Sequence, residues 1–177
     1  VTYGNGYRAE IAYAYDPVAD TAREIELSGP REYTDAKPGE ICGTVDAIGA
    51  SHVVDWKTGF YPATKAAVNP QLAFFALVMN RITGEDDVLG ELVYVDAKSL
   101  RLRYVDGASI DIFAIDALAS MLKSLPSRID EQRELIQLGK APTLAPSDRR
   151  CRYCPAVTCE HNKNKESKAA WQKVKAA

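Results

Sequence analysis

Apolar and polar positions alternate with a period of two over the first third of the chain and switch to a helical period near residue 70. Residues 7–15, YRAEIAYAY, predict a strand with Arg8, Glu10, Ala12 and Ala14 on one face. Asp16-Pro17 begins a turn, and Thr21–Leu27 predicts the returning strand of a hairpin. Residues 28–40 are polar and rich in Pro and Gly, as expected of a loop. Ile41–Ile48 and His52–Trp56 flank Gly49-Ala50-Ser51 and predict a second hairpin. After a loop over Phe60–Pro70, a helix starts at Asn69 or Pro70, carries Leu72, Phe75, Leu77, Val78, Met79 and Ile82, and stops at Gly84. Val88–Val95 and Leu100–Val105 predict strands joined by the turn Asp96-Ala97-Lys98-Ser99. A helix over about 111–138, capped by Asp111 or Ser109, takes its apolar stripe from Ile112, Phe113, Ile115, Leu118, Met121, Leu122 and Leu125. Pro126 should kink or split it.

The second hairpin carries the candidate chemistry. A loop with an even number of residues, centred on Ala50 and Ser51, pairs residues whose numbers sum to 101, so Asp46 lies opposite Asp55. Period-two alternation then gathers Asp46, Asp55 and Lys57 on one face and leaves Val45, Val54 and Trp56 on the other. Facing carboxylates repel, and Asp is a poor strand residue, so the pair needs a positive partner. A hard divalent cation suits it, since Mg²⁺ takes one or two carboxylates and completes its shell with water and phosphate oxygens. Lys57 would hold or polarise a water beside such an ion. The competing reading is a half-exposed hairpin with a solvated charged edge.

Composition adds bounds. A chain of 177 residues with 46% hydrophobic content suffices for one buried core. No run of eighteen apolar residues predicts a membrane-spanning helix, and VTYGNGYRAE has no basic-then-apolar signal pattern. The abrupt start in a strand-like segment is what a fragment of a longer chain would show. Net charge is −2, unevenly spread: residues 149–177 carry eight Lys/Arg against Glu160 and Glu166, or +6, leaving −8 for residues 1–148. A basic tail after an acidic body fits phosphate contacts or a solvated terminal helix equally well. Three of the four cysteines cluster as Cys151-x₂-Cys154-x₄-Cys159, a spacing that closes small loops around a metal. His161 would make that a Cys₃His zinc site, and Cys42 is expected to be a buried strand cysteine.

These residues resemble a known family. Gly43-Thr-Val-Asp46, then eight residues, then Asp55-Trp-Lys57-Thr-Gly is similar to the core of the PD-(D/E)XK nuclease superfamily in its RecB-like branch. Gln71-Leu-Ala-Phe-Phe75 resembles that branch's Q-x-x-x-Y motif with Phe for Tyr, and the cysteine triplet resembles that of its iron–sulfur members. Together the features span roughly residues 41–159 and point to CRISPR-associated and phage-encoded RecB-like nucleases.

The resemblance implies an α/β, restriction-endonuclease-like core: a mixed central β-sheet flanked by helices over residues 1–140, followed by a small cysteine-containing basic segment over 141–177. It implies Mg²⁺- or Mn²⁺-dependent hydrolysis of DNA, of the exonuclease type, by a cytoplasmic protein of recombination, repair or phage DNA metabolism. Other recombination or phage proteins are the expected partners. Asp46 and Asp55 would ligate the metal with the Trp56 carbonyl, and Glu10 would join them. Lys57 would orient water and stabilise the transition state, and Gln71 would position substrate.

Cys151, Cys154 and Cys159 would be three ligands of a [4Fe–4S] cluster whose fourth comes from a longer chain, with Zn²⁺ as the alternative occupant. Phe75 keeps the ring of the family's Tyr without its hydroxyl. The His that many members carry before the acidic motifs has no counterpart, since neither His52 nor His161 is placed for it. Two rival readings remain: an inactive DNA-binding or assembly module of the same fold, and a zinc-organised interaction module.

Overall fold

The fold is described from a computed structural model, over residues 6–58 and 65–140. The chain divides into two compact units at Arg128/Ile129. The first holds β1 (Arg8–Asp16), β2 (Thr21–Ile25), β3 (Leu27–Gly29), β4 (Glu32–Tyr33), β5 (Ile41–Ile48), β6 (His52–Lys57), α1 (Pro70–Thr83), β7 (Asp87–Val95), β8 (Leu102–Asp111) and α2 (Ile112–Lys123). α3 (Leu125–Gln137) starts in it, and the described part of the second unit continues that helix. No described helix is long and apolar enough to cross a membrane.

Six strands form one sheet in the order β2-β1-β5-β6-β7-β8. β6 and β7 run parallel, because α1 carries the chain between them; every other neighbouring pair is antiparallel, with short turns joining β1–β2, β5–β6 and β7–β8, and β5 returning beside β1 after β2–β4. This is the mixed, helix-flanked α/β sheet expected of a restriction-endonuclease-like core. The segment expected to be a plain loop, 28–40, overlaps the small β3–β4 ladder, and β8 starts at Leu102 and continues to Asp111.

Local chemistry fixes the helices. Asn69 Oδ1 accepts hydrogen bonds from the Gln71 and Leu72 N–H groups, Pro70 fills the first turn, and Gly84 (φ 79°) closes α1 in the left-handed conformation. Leu72, Phe75, Leu77, Val78 and Met79 are buried in a core shared with Val45, Val53, Leu92 and Ile110 of the sheet and Ile115 of α2, each such side chain contributing about 1.5–3 kcal/mol. Asp111 caps α2 through the Ala114 N–H. The expected long helix is split at Ser124, ahead of Pro126, into α2 and α3. Its expected stripe is narrower than drawn: Ile112, Ile115, Leu118 and Leu122 face the core, whereas Phe113, Met121 and Leu125 are exposed.

The strand alternation slips once in each of two neighbours. Glu10 has φ 55°, and the β1–β5 pairing passes from Ala9↔Ala47 to Ile11↔Val45 across Glu10 and Asp46. Before the slip, Tyr7 packs with Ala47 and Val54 on the face away from α1; after it, Ile11 and Tyr13 pack on the α1 face. Arg8 reaches Glu24, the partner of Tyr13, while Ala12 and Ala14 cluster with Ile25 on the opposite face. Arg8 and Ala12 therefore do not share a face as alternation predicts. For the same reason Val45 sits with Val53 on the α1 face and not beside Val54. Both strands slip together, so their register is kept.

Candidate active site

The β5–β6 hairpin has the expected even loop. Gly49 N–H donates to the His52 carbonyl at 2.8 Å, and Ala47↔Val54 and Ile48↔Val53 pair with numbers summing to 101. The strand pairing then stops, one position short of Asp46 and Asp55. Alternation of hydrogen-bonded pairs would next send the Trp56 N–H to the Val45 carbonyl. It goes instead to Asp46 Oδ2 at 2.7 Å. The Asp46 carboxylate thus occupies the gap where the two strands part, fixed by a main-chain donor next to Asp55.

Asp55 is 2% exposed, on the α1 face. Its Oδ2 lies 2.5 Å from Lys57 Nζ, a close ionic contact, yet receives no well-directed hydrogen bond. Burial raises the pKa of Asp55 above the ordinary carboxylate range; Lys57 lowers it and Asp46 raises it, with burial the largest of the three. Lys57 Nζ also donates to Gln71 Oε1 at 3.1 Å, so the first turn of α1 and the end of β6 meet at this amine. Asp46, Asp55, Lys57 and Gln71 lie close together, with the Trp56 main chain between the carboxylates, but Asp46 also lines the groove on the Trp56 face, which period-two alternation does not predict.

The Trp56 ring lies on the other face, half exposed, in a groove of about 860 Å³ that Glu10, Asp46, His52 and Glu91 also line. Glu10 shares that groove with Asp46, across the skipped rung of β1 and β5. Tyr7 Oη hydrogen-bonds His52 Nδ1, and His52 Nε2 lies 3.0 Å from Glu91 Oε2, so His52 belongs to the groove and not to the Asp55 cluster.

No set of three His, Cys, Asp or Glu side chains is disposed around a common metal position among the described residues. The donors present are two carboxylates, one of them buried with its Oδ2 against the Lys57 ammonium. That set suits a hard cation such as Mg²⁺ or Mn²⁺, and it does not suit zinc, which takes four nitrogen or sulfur donors in a structural site. Cys151, Cys154, Cys159 and His161 lie outside the described residues. Cys42 is half-buried on β5 against the Ala12–Ala14–Ile25 cluster, and burial pushes its thiol pKa up, as expected for a packing cysteine. Asp96 and Lys98, a second D-x-K, form a turn in which Asp96 Oδ1 accepts from the Lys98 and Ser99 N–H groups.

Two residues visible in the sequence have roles that it did not assign. Asn69, 7% exposed, caps α1 and thereby orients Gln71; Asn-Pro ahead of an apolar helix was its visible signal. Gly43, of the G-x-x-D motif, lies under α1, where a β-carbon would stand 3.1 Å from Phe75 Cζ and 3.2 Å from Phe74 Cε1. Nothing local in the sequence reports that contact.

Comparison with known proteins bears on the family. No curated protein matches the chain. Among solved structures, the crystal structure of SSO0001 is 22% identical with a TM-score of 0.38, over 88% of this chain and 61% of that one, a likeness too slight to argue from. This chain therefore spans under two thirds of that protein's length. The family model of the PD-(D/E)XK nuclease superfamily matches residues 8–159, from the first strand past the hairpin and α1 to Cys159. With that match over most of its length, the chain belongs to the PD-(D/E)XK nuclease superfamily.

Proposed function

We propose that the protein is a Mg²⁺- or Mn²⁺-dependent deoxyribonuclease of the RecB-like branch, acting as an exonuclease in recombination, repair or phage DNA metabolism. The observation that carries the reading is the meeting of Asp46, the buried Asp55, Lys57 and Gln71 where β5 and β6 part. Placement in the branch rests on Gln71 and Phe75, whose spacing matches Q-x-x-x-Y and whose helix meets Lys57.

Asp46 and Asp55 would hold the cation, with the Trp56 carbonyl as a further oxygen donor. When bound, the ion supplies a Lewis acid for the phosphate and lowers the pKa of a coordinated water. Burial makes the Asp55 carboxylate costly to ionise, a cost that a bound cation would offset. The Lys57 ammonium, held between Asp55 and Gln71, would hydrogen-bond the attacking water and stabilise negative charge as it grows on the phosphate. Gln71, tied by its side-chain oxygen to Lys57, leaves its amide hydrogens for a phosphate oxygen of the substrate backbone. Glu10, in the same groove as Asp46, would join the acidic surroundings of that ion. The basic residues of 149–177 would add contacts to DNA phosphates, and Cys151, Cys154 and Cys159 would bind an iron–sulfur cluster or zinc.

Incubation of the purified chain with end-labelled DNA tests the reading. Cleavage should require Mg²⁺ or Mn²⁺ and vanish in Asp55→Ala. Metal-independent binding without cleavage would instead identify an inactive DNA-binding module of the same fold.

A further inference from the structure

Between β6 and α1 the chain re-enters the described structure at Lys65 and makes one 3₁₀ turn, Ala66–Val68, before Asn69 starts the helix. That turn is anchored from a distant strand. Asp106 Oδ2, on β8, accepts a hydrogen bond from the buried Ala66 N–H at 2.7 Å. Asp106 pairs across the sheet with Leu92, which pairs with Asp55, so anchor and candidate catalytic carboxylate occupy one lateral row.

The contacts continue without a gap. Asn69 N–H donates to the Ala66 carbonyl at 3.1 Å, Asn69 Oδ1 accepts from the Gln71 N–H at 2.9 Å, and Gln71 Oε1 accepts from Lys57 Nζ at 3.1 Å. Gln71 itself is exposed, so its backbone must be fixed from elsewhere if its long side chain is to stay on Lys57. We propose that Asp106 is a positioning residue of the candidate site, holding the Ala66–Val68 turn on β8 so that Asn69 starts α1 where Gln71 restrains the Lys57 amine. The proposal rests on the nuclease reading only for its kinetic consequence, because the restraint on Lys57 is measurable without any reaction.

The test is pulsed acylation of lysines in the full chain, read by peptide mass spectrometry, with exposed Lys37 and Lys98 as internal references. In Asp106→Ala the Lys57 rate should rise about threefold or more, the factor that one lost hydrogen bond supplies. Gln71→Ala should raise it as much, and Asp106→Asn, whose amide oxygen still accepts from Ala66, should stay near wild type. With DNA and Mg²⁺, Asp106→Ala should lower kcat and leave KM unchanged. An unaltered Lys57 rate in Asp106→Ala, or equal behaviour of the Ala and Asn variants, overturns the proposal. So does loss of the folded state in Asp106→Ala and Asp106→Ser alike, which would make the contact structural. A wild type that never cleaves DNA defeats the nuclease reading and leaves the acylation result to decide this one.

Discussion

Gly43 of β5 and Phe75 of α1 pack so closely that a β-carbon on the glycine would stand 3.1 Å from the ring. The contact joins the first acidic motif to the glutamine motif: the ring sits on the strand three residues before Asp46, on the helix that carries Gln71. Phe75 is 1% exposed and has little room to move aside. Gly43→Val should therefore cost about 1–3 kcal/mol through overpacking. Adding Phe75→Leu should recover part of that loss, and thermal unfolding of the two single variants and the double variant measures the coupling.

Asp55 yields a prediction with a definite sign. Its pKa is raised in the folded state, mainly by burial, so its contribution to stability is present below the ordinary carboxylate pKa and is lost as pH rises through the raised value. In metal-free protein at pH 7 the charged carboxylate is a cost. Asp55→Asn should raise Tm there, and the advantage should disappear as pH falls below the ordinary carboxylate range. Mg²⁺ at a hundred times its Kd should stabilise wild type by about 2.7 kcal/mol and leave Asp55→Asn unchanged. A large loss of stability in metal-free Asp55→Asn would mark the residue as structural.

Lys57→Ala should reduce metal-dependent cleavage by about 10²–10³, the usual effect of removing one donor from a transition-state site. It should also raise the Asp55 pKa further, since the lysine opposes the effect of burial. Cleavage followed against pH, with the Asp55 carboxyl titrated by NMR, measures both.

Asn69→Ala should cost about 0.5–2 kcal/mol as a lost helix cap. Asn69→Asp should retain most of that stability, because a carboxylate accepts the same two N–H bonds and suits a helix N-terminus. Urea unfolding of the pair separates the cap from simple loss of packing.

Much of this was legible because its signals are local. The two-residue turn at Ala50-Ser51 set the hairpin register, and Asn69-Pro70 and Gly84 marked the ends of α1. The errors arose where tertiary contacts overrule alternation. The paired slips at Glu10 and Asp46 turn Arg8 and Val45 to faces that a period of two does not allow, and two strands must be seen together for such a slip to keep its register. Asp46 was expected to face Asp55 across a continuous ladder; instead its carboxylate takes the N–H that would have extended that ladder. Asp106 lies forty residues from Ala66, so no local pattern joins them.

The most direct measurement is anomalous diffraction from crystals of the protein soaked in Mn²⁺. The account predicts one strong peak within about 2.0–2.3 Å of a carboxylate oxygen of both Asp46 and Asp55, with Lys57 Nζ near a water bound to the ion. Manganese bound elsewhere with the Asp46–Asp55 gap empty, or the two carboxylates turned to opposite faces with no shared ion, would contradict it.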